Sequence, residues 1–435
     1  MILINNAKLT SAVKRAALRV DKRAVMPILR GILLEIGSDG EFAVTGTDLD
    51  SYFKTGSVSK AVISVVVEPK ALLAALKLIN GDVMVELAGE VLKVASTQGH
   101  VSVNVPTLGF GEDFPAPETV VADLGGAFEG ATVLSEREVE VIAGKVAPVC
   151  ARYDTMSILG GVSFKAGVNT TQVCGTDGSR MVVARFNSPW AVKPVIIPCG
   201  IWEGLTGNVV VRTNTQWAML VDSLGTTWVK LITGEYPRYE EILPPVGESQ
   251  GYREYNRKEF IAALKSIKAV PDNKRLNAVA SVGLWLASPN GEVVLDVQGR
   301  ASDGRALGLN VNYLLDWAGA QRSEYLTITI TGTGKQTDKL VLKPVMLEDD
   351  QFADYGVRHL LMPVQLKSAW TDKQARSLAE DSEPMDSRKV APAPKAAPAP
   401  KAAPVSGACK HLRKLIANHM LTCRDCKCVV ETLSA

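Results

Sequence analysis

Three segments of similar sequence follow one another along this chain, and this repeat limits the possible folds more than any other feature. A strand ending in Thr-Asp or Ser-Asp and a short turn occurs around Asp48, Asp177 and Asp303. These aspartates are 129 and 126 residues apart, far more than the roughly 20–50 residues of solenoid repeats. The spacing predicts three whole domains of one fold in tandem.

A second feature recurs in the same phase. The segment ISVVVEPKALLAAL ends a predicted strand at Pro69 and opens a helix, and VIIPCGIWEGL does the same at Pro198. The segment LGLNVNYLLDWAG, around Asn310, is the third copy in slightly compressed form. Each copy continues into strands that alternate apolar and polar residues, as half-buried sheets require.

Each unit also opens with a predicted amphipathic helix, because apolar residues recur at the i, i+3, i+4, i+7 spacing of a buried stripe. The stripes are Val13, Ala16, Ala17 and Val20; Val139, Ile142, Ala143 and Val146; and Phe260, Ile261, Leu264 and Ile267. The fold class is therefore α+β, with two helices and many strands of alternating apolar and polar residues in each unit. The predicted domains are residues 1–122, 128–248 and 252–367.

Composition is that of a globular protein, with 46% hydrophobic and 22% charged residues and a net charge of +2. Charge is uneven, since residues 368–435 hold 11 Lys and Arg against 7 Asp and Glu, whereas the remaining chain holds 37 against 39. The sequence contains no run of about 18 apolar residues that would cross a membrane. Cysteines are too sparse in the body for a disulfide framework, so we expect a reducing, cytoplasmic setting.

The sequence does not indicate an enzyme. The repeated aspartates lie one per domain, too far apart to converge as a metal or acid–base pair, and they are also read simply as strand-end turns. The body has only His100 and His359, in no catalytic spacing. It has no nucleophile elbow, phosphate-binding loop or dinucleotide fingerprint.

Several stretches resemble the beta subunit of bacterial DNA polymerase III, the sliding-clamp family. They are KRAVMPILRGILLEI and TGTDLD; ARYDTMSILGGVSF, TDGSRMVVAR and TGEYPRYEEILP; and NVNYLLDWAG and HLLMPVQL. They occur in the family order across residues 1–367.

This resemblance implies three DNA-clamp domains per chain, each with two helices against antiparallel sheet, and a head-to-tail homodimer closing a ring around double-stranded DNA. The dimer contact would join His100–Val105 to the third domain near Val270. The ring would act as a processivity factor without a cofactor, tethering DNA polymerase and accepting a clamp loader. The alternative is a clamp-fold regulator or decoy that binds replication partners without encircling DNA.

A ring holds DNA topologically and needs only weak, salt-sensitive attraction to phosphates. The candidate DNA contacts are basic residues on the helices expected to face the hole, and residues that match family contacts. They are Lys14, Arg15, Arg19, Lys22, Arg23, Arg152, Tyr153, Lys265 and Lys268. The competing readings are a solvated helix face and, for Arg152 and Tyr153, an interdomain contact.

The resemblance also implies a partner-peptide groove between the second and third domains. Its lining would be Leu159, Thr176, Gly178, Arg180, Met181, Pro237, Ile242, Leu360, Met362, Pro363, Val364 and Leu366. Methionines suit a groove that accepts several peptides; the alternative is that 360–366 is only a core terminal strand. Ser179, Glu241 and Gln365 make the rim less basic than is usual in the family, and a four-residue insertion falls near Asp154–Ile158.

The family does not explain residues 368–435. Residues 368–406 read as a flexible linker whose Pro/Ala/Lys stretch, 390–404, would reach roughly 45 Å as polyproline II. Residues 407–435 form a small basic module in which HLRKLIANHML predicts a short helix. Cys409, His419, Cys423 and Cys426 are a candidate zinc set, with His411 and Cys428 as substitutes, because CxxC places two thiolates on one tetrahedral ion. Reduced thiols on a partly disordered tail and a redox role are the alternatives.

Overall fold

The computed structural model describes most of the chain as far as residue 364. The described residues are 1–117, 120, 127–152, 157–167, 169–190, 193–244, 249–270, 278–288, 293–302, 306–331, 333–336, 339–342, 344–348, 355–364, 414–417, 420–423 and 429–432. The chain divides into two compact units, Met1–Asp381 and Ser382–Ala435. The first contains the three sequence repeats.

Five α-helices are described in the first unit, and four of them have a capping side chain at the N-terminus. The helices are α1 (Asn6–Ala17), α2 (Pro69–Lys77), α3 (Glu136–Val141), α4 (Arg257–Ala269) and α5 (Val311–Gly319). Asn5, Asn256 and Asn310 each accept a hydrogen bond from a first-turn amide. Ser135 and Glu138 form a capping box on α3. Such caps satisfy amides that have no partner within the helix.

The predicted apolar stripes are buried, with local corrections. Val13 and Ala16 lie in the core, but α1 ends at Ala17, so Val20 lies beyond the helix. Helix α3 passes into a π-helical turn, Ile142–Val146.

The second helix of the second repeat is absent from the described residues. Instead, a single 3₁₀ turn, Cys199–Trp202, follows Pro198. Glycines at 200, 204 and 207 lower the helix propensity of this segment. Further 3₁₀ turns are Pro27–Arg30, Gly111–Asp113, Ala147–Val149, Ile158–Gly160 and Tyr239–Glu241.

The strands of the first unit all pair antiparallel. The first repeat contains β1 (Ile2–Ile4), β2 (Ile32–Gly37), β3 (Phe42–Thr47), β4 (Ser51–Thr55), β5 (Ala61–Val67), β6 (Val83–Ala88), β7 (Val91–Ser96) and β8 (Ser102–Phe110). The second contains β9 (Glu129–Leu134), β10 (Gly161–Gly167), β11 (Thr170–Thr176), β12 (Arg180–Phe186), β13 (Val195–Pro198), β14 (Val209–Thr213), β15 (Trp217–Val221) and β16 (Thr226–Lys230). The third contains β17 (Gly251–Asn256), β18 (Ala278–Val282), β19 (Trp285–Ala287), β20 (Val294–Asp296), β21 (Gly299–Ala301), β22 (Ala306–Asn310), β23 (Tyr325–Ile330), β24 (Thr333–Gln336), β25 (Lys339–Leu342), β26 (Val345–Leu347) and β27 (Arg358–Leu361).

One strand order recurs in each repeat. The orders β5-β2-β3-β4, β13-β10-β11-β12 and β22-β18-β19-β20 correspond, as do β1-β6-β7-β8, β9-β14-β15-β16 and β17-β23-β26-β27. Strand β4 pairs with β16, and β12 pairs with β27. Each pairing joins the first half of one repeat to the second half of the next, so sheets continue across the sequence boundaries.

The strand order shows that the third copy of the Thr-Asp turn was assigned to the wrong segment. In the first two repeats the turn lies between β3 and β4 and between β11 and β12. The corresponding position in the third repeat lies between β19 and β20, residues 288–293. Asp303 instead follows β21, outside the described residues, so its alignment with Asp48 and Asp177 was wrong. The short segment ASDGR matched by composition and not by place in the sheet.

Three apolar clusters form the cores, one per repeat. The first collects residues between Ile4 and Val105, the second between Leu134 and Leu231, and the third between Tyr255 and Leu361. The sequence periods thus correctly identified which faces are buried, since helices and strands each direct one face inward.

The second unit contains a small antiparallel sheet. Its strands are β28 (Lys414–Ala417), β29 (Met420–Cys423) and β30 (Val429–Thr432). The helix predicted for HLRKLIANHML was wrong, because that segment forms β28 and β29. Ala417 pairs with Met420, which leaves a two-residue connection of the kind that hairpins favour.

Candidate functional site

The junction between the second and third repeats is formed by two antiparallel strands. In the β12–β27 register, Arg180 lies opposite Leu361 and Met181 opposite Leu360. The amide of Met362 then donates to the carbonyl of Ser179 at 2.9 Å. This pairing places residues 360–364 beside the Thr176–Arg180 turn.

A buried apolar cluster lies beneath this junction. It contains Cys174, Met181, Val183, Tyr239 and Leu360, with Tyr236 and Leu243 packed against it. Met181 and Leu360 are only 7% and 3% exposed, so they form a floor. Sequence reasoning missed the two tyrosines, although they flank Pro237 in the TGEYPRYEEILP segment that it singled out.

Apolar side chains remain accessible above this floor. Ile242 is 50% exposed and Met362 39%, and Pro237 is also exposed. Leu159, Pro363 and Val364 are half-buried. We call this set, with its floor, the junction groove. The predicted rim residues Ser179 and Glu241 are exposed, whereas Gln365 and Leu366 lie outside the described residues.

The Thr176–Arg180 turn is held by its own side chains. Thr176 Oγ1 donates to the Arg180 carbonyl at 2.7 Å and accepts from the Gly178 amide at 3.0 Å. Asp177 Oδ1 accepts from the Ser179 and Arg180 amides. Gly178 has φ +88°, and an added Cβ there would lie 4.0 Å from Leu159 Cδ1. Thr176 and Asp177 therefore shape the turn that places Gly178 beside Leu159.

Arg180 does not line the groove as predicted. It precedes Met181 on the strand, so its side chain projects from the opposite face. Its guanidinium pairs with Asp177 at 3.1 Å and Asp316 at 3.0 Å, and stacks 4.3 Å from the Tyr313 ring centre. There Arg180 contributes to a cavity of about 620 Å³ between the two repeats. It ties β12 to α5.

The basic residues predicted to meet DNA fall into two groups. Six are exposed: Lys14, Lys22, Arg23, Arg152, Lys265 and Lys268. Tyr153 lies outside the described residues. Arg15 and Arg19 are buried, 3% and 4% exposed, so their assignment to a DNA-facing surface was wrong.

The two buried arginines join the first repeat to the second. Arg15 Nη2 lies 3.5 Å from Asp222 Oδ2, and its guanidinium lies over the Phe53 ring. Arg19 Nη2 donates to the carbonyls of Gly200 and Glu203. Burial lowers the pKa of Arg15, opposed by the charge of Asp222, and lowers the pKa of Arg19 to about 10. Helix periodicity gave no sign of their partners, which lie about 200 residues away.

Most of the predicted zinc ligands lie outside the part of the chain that the structure describes. Cys409, His411, His419, Cys426 and Cys428 lie outside the described residues, and Cys423 ends β29. Within the described part of the chain, no three His, Cys, Asp or Glu side chains are grouped as a metal site. In that same part, no helix has the length and apolar character to span a membrane.

Comparison with known proteins gives a consistent result. Residues 1–118 match the family described as DNA polymerase III beta subunit, N-terminal domain. A beta sliding clamp from Pseudomonas putida is 23% identical over 341 residues, covering 72% of this chain and 88% of that protein. The Salmonella typhimurium beta sliding clamp is 24% identical over 375 residues, covering 79% and 94%.

Solved structures share the fold. DNA polymerase III beta subunit from Thermotoga maritima has a TM-score of 0.69 at 19% identity, covering 84% of this chain and 99% of its own. A sliding clamp from Bartonella birtlesii bound to griselimycin has a TM-score of 0.69 at 20% identity, with the same coverage.

Proposed function

We propose a function from the premise that this chain belongs to the bacterial DNA polymerase III beta subunit family: it is a DNA sliding clamp. In this role it encircles duplex DNA in the cytoplasm and tethers DNA polymerase, catalysing no step itself. The polypeptide would contain three clamp domains, residues 1–122, 128–248 and 252–367. The linker 368–406 and the basic module 407–435, with its candidate zinc ligands, would follow the third domain in the sequence.

The observation that carries the proposal is a pattern of strand pairing between consecutive repeats. The first and second repeats follow this pattern, and among the described strands the third repeat lacks the corresponding partner. Strand β4 pairs with β16, and its counterpart β12 pairs with β27. The third counterpart is β20, and among the described strands it has a neighbour on one side only, β19. The counterpart of β16 and β27 in the first repeat is β8, whose Ser102–Pro106 portion pairs only with β7 in the described structure.

A second copy of the chain completes the pattern. If β20 pairs with β8 of a second chain, every repeat is joined to the next by the same kind of strand pairing. Two chains then supply six repeats related by similar rotations, and such head-to-tail contacts form a ring when the rotation closes. Val294 on β20 is a partly exposed apolar side chain, 37%. It suits a buried contact better than Val270, which is already 8% exposed in its own chain.

The exposed basic side chains fit a sliding contact. The six exposed Lys and Arg side chains would attract DNA phosphates whatever the base sequence, and this attraction weakens with salt. Topological closure, rather than this attraction, would retain the DNA.

The junction groove fits a short apolar peptide from a polymerase or loader. Its buried floor of Met181 and Leu360 and its exposed Met362 and Ile242 offer apolar surface at one site. Methionine adapts to different partners. The Bartonella relative, which is bound to griselimycin, suggests a probe.

Retention on DNA tests the clamp function. The full chain and a clamp loader are incubated with nicked circular DNA and separated by gel filtration, and the DNA is then linearised. We expect the protein to stay with circles and to leave linear DNA. Equal binding to both forms, or to neither, would reject the ring and favour the decoy, which binds partners without encircling DNA.

Griselimycin binding tests the groove separately. We expect Met362→Lys to weaken binding by tenfold or more, because a charge would be placed beside an apolar floor. Val133→Lys is the matched control, since Val133 is an exposed apolar residue on β9, outside the groove. Equal loss in both variants would reject the groove assignment.

A further inference from the structure

Two thiols of the second repeat lie together in its core. Cys150 follows the turn Ala147–Val149 and is 3% exposed. Its thiol donates to the carbonyls of Val146, at 3.7 Å, and Gly161, at 3.4 Å. A Cβ on Gly175 would come within 3.0 Å of this sulfur. The surrounding backbone therefore holds the Cys150 sulfur in place.

Cys199 approaches from a second turn. It begins the 3₁₀ turn Cys199–Trp202, is half-buried, and packs against the same core cluster as Cys150. The two turns contact each other. The structure records both cysteines as free thiols.

The surroundings of Cys199 favour its thiolate. The Cys150 thiol is the main cause that lowers the pKa of Cys199 to about 7, burial opposes the shift, and the charge of Arg152 and the amides of Cys199 and Gly200 assist it. Other charges near this turn are Arg19, which donates to the Gly200 and Glu203 carbonyls, and Glu203. Much of Cys199 is then ionised at neutral pH, and the thiolate is the reactive form of cysteine.

Cys174 provides an internal comparison. It is fully buried, and burial raises its pKa. Its carbonyl accepts a hydrogen bond from the Tyr236 hydroxyl. It should be inert under conditions in which Cys199 reacts.

We propose that Cys199 is a hydroperoxide-reactive thiol and that Cys150 resolves it as an intramolecular disulfide. The Cys199 thiolate attacks one peroxide oxygen, the O–O bond breaks, and Cys199 sulfenic acid and hydroxide form. The Cys150 thiol then attacks the sulfenic sulfur, forming the S–S bond and releasing water. Overall, two thiols are oxidised and one hydrogen peroxide is reduced to two waters.

The modification would occur close to the junction groove. Ala151, next to Cys150, donates its amide to the carbonyl of Leu159 at 2.9 Å, and Arg152 follows. A disulfide at Cys150 would anchor the chain one residue from this contact. The proposal does not depend on the clamp function, because the chemistry requires only the two thiols.

Tryptic mapping distinguishes the thiols cleanly. Cleavage after Lys and Arg, except before Pro, places Cys150 in peptide 146–152, Cys199 in 186–212 and Cys174 in 166–180. The four tail cysteines fall in other peptides. The reduced full chain is treated with hydrogen peroxide, blocked with iodoacetamide, digested without reductant and analysed by mass spectrometry. We expect a linked 146–152/186–212 peptide that is lost on reduction.

Three variants assign the roles. Cys199→Ser should abolish the linked peptide and leave Cys150 unoxidised, whereas Cys174→Ser should leave the linked peptide unchanged. Cys150→Ser should stop at a Cys199 sulfenic acid that dimedone traps. If that variant does not fold, the wild-type map still decides. Absence of the linked peptide, whether Cys199 stays reduced or becomes overoxidised, overturns the proposal.

Discussion

At the scale of single residues, charge has been buried where the sequence predicted a surface. Arg15 lies on a helix whose exposed neighbour Lys14 is of the same chemical type, and only tertiary contact separates their roles. Arg15 meets Asp222, whose side chain is 1% exposed. Breaking a buried pair on one side leaves an uncompensated charge, which is more costly than removing both members.

We therefore expect Asp222→Asn to lower the free energy of unfolding by about 3 kcal/mol. Asparagine keeps an acceptor for the Leu224 and Gly225 amides that Asp222 binds, so the lost charge dominates. Asp50→Asn is the control, because its pair with Lys230 is 3.7 Å long and exposed, and about 0.5 kcal/mol is expected. Urea denaturation measures both, and similar shifts in the two variants would contradict the argument.

Cys199 predicts a pH dependence at the same scale. Its pKa falls from an ordinary 9.0 to about 7 in the folded chain, so between these values the unfolded state binds more protons. The free energy of unfolding should then rise with pH from about 7 to 9 relative to Cys199→Ser, and the contribution is lost as pH falls through 7. Because the side chain is partly exposed, about 1 kcal/mol or less is expected after screening. Parallel pH profiles of wild type and variant would refute this.

At the scale of elements, the same turn is built twice with different residues. Thr47 Oγ1 donates to the Ser51 carbonyl and accepts from the Leu49 amide, as Thr176 does with Arg180 and Gly178. Leu49 has φ +73°, where Gly178 has +88°. The left-handed region costs a residue with a side chain roughly 1–2 kcal/mol. The first turn is therefore strained and the second is not.

Opposite substitutions should have opposite effects. Leu49→Gly should raise the free energy of unfolding by at most about 1 kcal/mol, because the strain relieved exceeds the entropy that glycine adds to the unfolded chain. Gly178→Ala should lower it by about 1 kcal/mol. Thermal unfolding of both variants provides the measurement, and destabilisation by both would show that Leu49 contributes more through packing than it costs in strain.

Sequence periodicity predicted local features well and long-range ones poorly. The stripe of Phe260, Leu264 and Ile267 is buried because helix geometry alone puts those residues on one face. The partners of Arg15 and Arg180 depend on which segments meet, and no local pattern encodes that. Asp303 was misaligned because a short turn motif recurs by chance, whereas strand order does not. For the groove, the resemblance identified Met181, Leu360 and Met362 together, but not that Arg180 projects from the other face.

At the scale of the whole molecule, the repeats are fused through their sheets. One sheet of twelve strands runs from β1 to β9 through the β4–β16 pairing, and one of nine strands runs from β13 to β21 through β12–β27. A third pairing of the same kind, between chains, would follow from the exposed edges of β8 and β20. Under this proposal, the oligomeric state follows from the strand order.

Val294→Asp should convert the proposed dimer to a monomer of 46.6 kDa, because Val294 lies on β20, whose second edge would pair with the partner, and a carboxylate would be buried there without a partner. Val133→Asp, on the edge strand β9, should leave the dimer intact. Analytical ultracentrifugation at micromolar concentration reads out both masses. A wild-type chain that is already monomeric, or a dimer that survives Val294→Asp, would contradict the proposed pairing.

The length of these ladders has a mechanical consequence. The β4–β16 and β12–β27 junctions each align four residue pairs, whereas β20 has three residues to offer a partner. Under a pulling load carried along the circumference, the shortest ladder yields first. In the proposed ring, the contact between two chains would therefore separate before either junction within a chain.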